Sequence, residues 1–304
     1  MILNAPFQTS IPMLDDDSVQ LCFTSPPYED LMTYRNKDKS KVTDGGVGEP
    51  FIKLYWETLF ECLNPVMKDD GIVGIVINDK RENRTVRTTN YEGLLRVVRS
   101  GWHLVEDAKW FKLAGIPRQN RCLQDWWEHI FLFSKSTDYK YYPDRIRGEY
   151  SESTRQRYVF GGGVVRKIEA MTSRMHSKGD DVSLKNDDKE MKHHKKIELH
   201  PDGKLLPNVV AISPDSSRKG LDHPARFPLR LAEWAITLCT DKTDLVIDPM
   251  CGSGTTLMVA KAIGRQFFGG DMGPDFAKMA QDQVDSVIYQ PDLFDVEDSF
   301  NTRL

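Results

Sequence analysis

The stretch "DLVIDPMCGSGTTLMVAKAIG" (residues 244–264) decides how this chain folds. Its opening residues are short, apolar and rich in β-formers, which reads as a buried strand. A glycine-containing bend follows, and then an apolar run that reads as a helix. That order puts a crevice at the carboxyl end of a parallel strand, where open α/β sheets take ligands. Two common ligands are excluded by what is missing. A P-loop needs a lysine after its last glycine, and here Gly254 is followed by Thr255 and Thr256. A dinucleotide fingerprint needs a third glycine, and Leu257 stands in its place. A nucleoside ligand without a pyrophosphate remains. Asp248 at the strand end can hold an ammonium group, and Gly252 and Gly254 let the backbone approach the ligand closely. Some twenty residues on, Asp271 ends the next strand, where an acidic side chain grips ribose hydroxyls.

A second strand end stands near the other end of the chain, in "VQLCFTSPPYED" (residues 19–30). Residues 19–23 read as a buried strand that must stop at Pro26 and Pro27, because prolines cannot donate to a sheet ladder. Each proline also holds the residue before it extended. The product is a stiff tip, which serves equally as a plain strand terminator or as a functional corner. "EDLMTYRNKDKSKVTDGGVGEP" (29–50) reads as a long mobile loop, a kind that is usually functional inside a compact domain. Residues 51–67 have helical spacing and end near Pro65; "DDGIVGIVIN" (69–78) is a turn and a buried strand. "NYEGLLRVVRSGW" (90–102) reads as a helix stopped by Gly101. The strands "HLVEDAKWFK" (103–112) and "EHIFLFSKS" (128–136) have no helix-sized segment between them, which predicts an antiparallel pair. In "HPARFPLRLAEWAITLC" (223–239), Phe227, Leu231, Trp234, Ala235 and Leu238 recur at helical spacing. "RQFFGGDM" (265–272) is the next strand and "DFAKMAQDQVDSVI" (275–288) a closing helix. Strands alternating with helices mean a mostly parallel sheet.

Residues 151–204 break this texture. They hold 12 Lys/Arg, 9 Asp/Glu and four of the seven histidines with few large apolar residues, too little to build a core. The chain at large has 304 residues, 39% hydrophobic and 28% charged, the composition of a soluble globular protein. No apolar run is long enough to span a membrane, and the amino terminus lacks a secretory pattern. Five cysteines without a CxxC pair fit a reduced, cytoplasmic protein. A net charge of −4 argues against indiscriminate coating of nucleic acid while leaving room for a local basic groove.

Taken together, "TSPPY" (24–28) and "DPMCGSGTT" (248–256) resemble the signature motifs of the amino-methylating DNA methyltransferases. The catalytic motif comes first, the cofactor motif last, and a variable segment lies between, which is similar to the permuted beta arrangement of that family. "GWHLVEDAKWFK", "WWEHIFLFSKS" and "HPARFPLRLAEWAI" also look like family segments in the expected order. The resemblance implies a circularly permuted Rossmann-like α/β fold with a mostly parallel seven-stranded sheet and one antiparallel strand. It divides the chain into a catalytic part (1–150), a target-recognition region (151–204) and a cofactor-binding part (205–304). S-adenosylmethionine is the implied cofactor. Thr24, Asp248, Met250, Cys251, Gly252, Ser253, Gly254, Thr255, Thr256, Asp271 and Met272 are its expected neighbours, with His223 organising a loop beside it.

The implied reaction is transfer of a methyl group to the exocyclic amine of a base flipped out of duplex DNA. The SPPY form is typical of cytosine N4, and a DPPY form of adenine N6. By the same resemblance, Ser25 Oγ and the Pro26 carbonyl accept the two N–H groups of the amine, Pro27 stiffens the corner, and Tyr28 stacks on the base. Cys251 lies in the cofactor loop rather than beside the base, so it reads as small-residue packing and not as a nucleophile. Relatives often carry a Gly-Asp pair ahead of the catalytic strand, and "NAPFQTS" (4–10) has none. Arg81, Arg84 and Arg87 follow a strand end near the catalytic rim. With Arg118, Arg121, Arg166 and Lys167 they are the candidate contacts to phosphates and base edges. The run "KNDDKEMKHHKK" reads as solvated surface, and "HHKKIELH" lacks the pattern of a zinc site, so no metal is expected. Double-stranded DNA is the expected partner, a cognate restriction endonuclease is a partner the family implies, and monomer and homodimer both remain open.

Overall fold

The computed structural model describes residues 1–29, 34–36, 38–43, 46–83, 85–113, 126–151, 199–214 and 226–287. The strands are β1 (Ile2–Asn4), β2 (Val19–Thr24), β3 (Tyr34–Arg35), β4 (Lys41–Thr43), β5 (Met67–Ile77) and β6 (Arg81–Glu82). They continue with β7 (Thr85–Val86), β8 (His103–Phe111), β9 (Trp127–Ser134), β10 (Val209–Ala211), β11 (Leu245–Asp248) and β12 (Gln266–Asp271). Eight of them form one sheet in the order β1-β12-β11-β2-β5-β9-β8-β10. β9 alone runs against its neighbours β5 and β8, and the other pairings in this sheet are parallel. The antiparallel pairing expected of the segments at 103 and 128 is therefore present. The sheet has eight strands instead of the expected seven: six longer ones and two three-residue strands, β1 and β10, that form its edges. Segments that short carry no readable periodicity, and their pairing is set by partners far away in the chain.

The central strands are buried on both faces, which is why they read as continuous apolar runs. Alternate residues feed two layers. Cys22, Val73, Ile75, Phe131 and Phe133 meet the helical stretch that runs from Glu49 to Val66, where Trp56 is fully buried and packs edge-on against Phe131. Leu21, Phe23, Ile72, Val76, Ile130 and Leu132 meet the helix Leu229–Cys239 on the opposite face. That helix starts at Leu229 behind Pro228, so Phe227 lies just outside it, yet still packs edge-on against Phe23. The helix Thr89–Arg99 ends at Ser100 with Gly101 at φ +109°, as its sequence implied.

The expected long loop after Tyr28 carries a small hairpin, β3 with β4, among its described residues. The polar segment at 151–204 falls almost wholly outside the described residues. Its flanks are tied to each other: Gly148 and Lys204 exchange backbone hydrogen bonds of 2.8 Å, and Arg147 donates to the Gly203 carbonyl at 2.7 Å.

The glycine bend is built where β11 gives way to the helix Thr255–Ala262. Gly254 caps that helix at φ +79°, and a Cβ there would lie 2.9 Å from the Ala280 Cα. Both the left-handed backbone and the close approach require glycine. Gly254→Ala is expected to lower the unfolding free energy by about 2–4 kcal/mol. Urea denaturation measures this, and an unchanged midpoint contradicts the packing described.

Candidate active site

β12, β11 and β2 are successive parallel neighbours, so their carboxyl ends share one edge of the sheet. Thr24 ends β2 and Asp248 ends β11, 224 residues away in the chain. The Thr24 hydroxyl donates to Asp248 Oδ1 at 2.7 Å, fully buried. Thr256 reaches back across the same junction and donates to the Phe23 carbonyl at 3.1 Å. The two signature motifs therefore adjoin.

Between them opens a cleft enclosing about 1000 Å³ of space, part of it open to solvent. Ser25 and Pro27 line it from one side; Asp248, Met250, Cys251, Gly252, Ser253 and Thr255 line it from the other; Asp271 and Met272 close its end. Asp271 is held by two backbone donors, Gly252 N–H at 2.9 Å and Gly273 N–H at 2.8 Å. The bend is fastened to β12 by Cys251 N–H, which donates to the Gly270 carbonyl at 2.9 Å.

Both carboxylates are strained electrostatically. Burial, with a smaller push from Asp271, raises Asp248 to about 7 against the pull of the Thr24 hydroxyl and the Met250 N–H. Burial raises Asp271 to about 6 against its two backbone donors. Two such groups facing one cleft favour a ligand that is cationic and rich in hydroxyls. Burial, then Asp271, pushes the Cys251 thiol well above its ordinary value, so it is no thiolate nucleophile.

Other predicted residues sit behind the wall or elsewhere. Thr24, Gly254 and Thr256 shape the cleft from beneath it. Pro26 and Tyr28 are buried, and the Tyr28 hydroxyl donates to Glu128 at 2.6 Å. Tyr28 is not among the residues that line this cleft. The aromatic lining comes from Phe7, Tyr34, Tyr55, Phe227 and Phe276. Arg81 stands in the small β6–β7 hairpin, and Arg87 is ion-paired with Glu82 at 3.1 Å and Glu29 at 3.6 Å. Arg84, Arg118, Arg121, Arg166, Lys167 and His223 lie outside the described residues. Among the described residues no cluster suited to a metal ion occurs, and no helix is long and apolar enough to cross a membrane.

Sequence reasoning missed the amino-terminal wall and Glu128. Pro6, Phe7 and Gln8 line the cleft because β1 pairs in parallel with β12, Asn4 against Asp271. Asn4 Nδ2 also donates to the Asp271 carbonyl at 3.0 Å. "NAPFQ" carries no charge pattern that could have announced this.

Compared with known families, residues 19–282 match the DNA methylase family (N6_N4_Mtase). The chain belongs to that family. It is 26% identical over 281 residues to the orphan methyltransferase M.BamHII of Bacillus amyloliquefaciens, covering 90% of this chain and 92% of that one. It is 23% identical to the type II methyltransferase M.PvuII of Proteus hauseri, covering 86% and 76%. Its fold is similar to the solved PvuII DNA methyltransferase (cytosine-N4-specific), with TM-score 0.65, 18% identity and 98% and 91% of the two chains covered. It is also similar to TTHA0409 of Thermus thermophilus, a putative DNA modification methylase solved with S-adenosyl-L-methionine, at TM-score 0.55, 18% identity and 94% and 93% covered.

The buried Asp248 has a consequence for stability. Its folded value near 7 lies above the unfolded value near 3.9, so folding favours the protonated acid. The resulting penalty is absent below about pH 4, grows as pH rises, and is complete above about pH 7. Asp248→Asn should therefore stabilise the ligand-free protein by about 1–4 kcal/mol at pH 8 and hardly at pH 4. Denaturant melts at both pH values check the sign; an equal effect at both contradicts it.

Proposed function

We propose that this chain transfers a methyl group from S-adenosylmethionine to the N4 amine of a cytosine flipped out of duplex DNA. The observation that carries the reading is the shared cleft, with Ser25 on one wall and the Asp248 and Asp271 carboxylates on the other. The cofactor fits this donor set. Asp248 would hold its cationic amino-acid end, Asp271 its ribose hydroxyls, and the backbone at Gly252 would lie against it with no side chain intervening. When bound, S-adenosylmethionine supplies a methyl group on a positively charged sulfonium. The protein's own work is then placement. The amine lone pair of cytosine is delocalised into the ring, and Ser25 Oγ with the Pro26 carbonyl accepts its two N–H groups, turning the lone pair toward the methyl. Pro26 and Pro27 fix both acceptors, so little reorganisation is left for the reaction itself. Cytosine rather than adenine is favoured by the serine of SPPY, and the similar PvuII DNA methyltransferase is cytosine-N4-specific. Segment 151–204, with its excess of basic residues, is the proposed reader of the DNA sequence, and a cognate restriction endonuclease is the proposed biological counterpart.

Incubating the protein with duplex DNA and labelled cofactor, then digesting to nucleosides, tests this directly. N4-methylcytosine is the expected product in mass spectrometry, N6-methyladenine would shift the target base, and unmodified DNA would reject the reading. Ser25→Ala should reduce kcat about 100-fold or more while leaving the cofactor Kd nearly unchanged.

Cofactor affinity should also depend on pH in a defined direction. A cationic ligand prefers the ionised carboxylates, whose ligand-free values are about 6 and about 7. Affinity is therefore expected to rise between about pH 6 and 8 and then level off. Calorimetric titration checks this, and Asp248→Asn should flatten the upper part of the rise and weaken binding about 10-fold or more.

A further inference from the structure

One chain of hydrogen bonds leaves the cleft wall and ends in the protein interior. Ser25 Oγ lies 3.2 Å from the Tyr28 hydroxyl, and that hydroxyl lies 2.6 Å from Glu128 Oε2. Glu128, at the start of β9, is 4% exposed, and its other carboxylate oxygen is ion-paired with Lys112 Nζ. Lys112 in turn sits 5.1 Å from the Trp110 ring centroid. The direction of the protons follows from counting them. A carboxylate paired with an ammonium group only accepts. Tyr28 has a single hydroxyl proton, and the short contact commits it to Glu128. The Ser25–Tyr28 bond can then be made only with the proton of Ser25. Burial, with Glu128 adding to it, pushes the Tyr28 phenol well above its ordinary value, so the middle link stays protonated.

We propose that Glu128 is a positioning residue which, acting through Tyr28, makes Ser25 Oγ an acceptor toward the cleft. The inference rests on the reading of Ser25 as acceptor for the target amine. A lone serine hydroxyl is ambivalent: it can accept from the amine or point its own proton at the nitrogen lone pair, the very electrons that must attack. An ionised aspartate in that position has no proton to misdirect and needs no such device. Here Glu128 draws the Tyr28 proton inward, Tyr28 draws the Ser25 proton after it, and the Ser25 lone pairs are left for the substrate. The Lys112 ion pair offsets the cost of keeping a carboxylate in so buried a place.

The decisive variant is Glu128→Gln. Lys112 requires an acceptor and takes the amide oxygen, which leaves the amide NH2 facing Tyr28. The Tyr28 proton must then go to Ser25, and the Ser25 proton turns toward the amine. We expect kcat for DNA methylation to fall about 10–100-fold with the cofactor Kd unchanged. The same change introduced into a Ser25→Asp background should have little effect, because a carboxylate needs no orienting. Tyr28→Phe breaks the chain without touching the ion pair and should lower kcat less than Glu128→Gln does. A readout without turnover is the Tyr28 hydroxyl proton in NMR spectra. It should lie far downfield in the wild-type protein and move upfield in Glu128→Gln. An unchanged kcat, an equal loss in the wild-type and Ser25→Asp backgrounds, or an unmoved Tyr28 resonance overturns the proposal. Failure of the wild-type protein to methylate any base amine would instead remove the proposed function, leaving the proton direction to be judged by the resonance alone.

Discussion

Everything at this site depends on one buried hydrogen bond, from the Thr24 hydroxyl to Asp248 Oδ1. It joins the end of the strand carrying the serine-proline corner to the end of the strand carrying the glycine bend. The neighbouring contact of Thr256 with the Phe23 carbonyl doubles the junction. Parallel pairing of β2 with β11 brings the two ends to the same edge, and the hydrogen bonds fix how they face. The order of the motifs along the chain is immaterial to this arrangement. A strand from the carboxyl-terminal third fills the place between β2 and β12, so a permuted chain closes the same sheet.

The junction is costly in the absence of a ligand. Asp248 and Asp271 are both buried, both held toward protonation by their surroundings, and both turned to one cleft. A sequence selected for stability alone would not place two such carboxylates there. Their presence is explained by a ligand that brings positive charge and hydroxyl donors, which converts an unfavourable site into a selective one. The same trade appears at Glu128, whose burial is offset by Lys112 and used, on our proposal, to set the direction of a hydroxyl proton.

The strands and helices that position this site were legible because their signals are local. β2 reads as a strand from four apolar residues and a proline stop; the helix Leu229–Cys239 reads from its spacing; the β8–β9 pair reads from the absence of a helix between its strands. The glycine bend was legible for a steric reason, since Gly254 occupies a conformation and a space that exclude a side chain. What escaped reading is set by long-range register. Phe7 reaches the cleft only because three residues at the amino terminus pair with β12, some 267 positions away. Glu128 meets Tyr28 across 100 positions because β9 enters antiparallel beside β5, with His129 opposite Ile77. A one-residue slip of that register would turn Glu128 to the other face and break the chain to Ser25. The hydrogen bond of Tyr28 to Glu128 escaped for the same reason: its partner is invisible from its own neighbourhood.

The central claim is that two corners from opposite ends of the chain form one binding site for a sulfonium methyl donor. Photolabelling with methyl-labelled S-adenosylmethionine, followed by proteolysis and peptide mapping, tests it most directly. The account predicts label in the peptide that carries residues 25–28 or the one that carries residues 248–254, and protection of both by excess unlabelled cofactor. Label confined to peptides remote from both corners would contradict it.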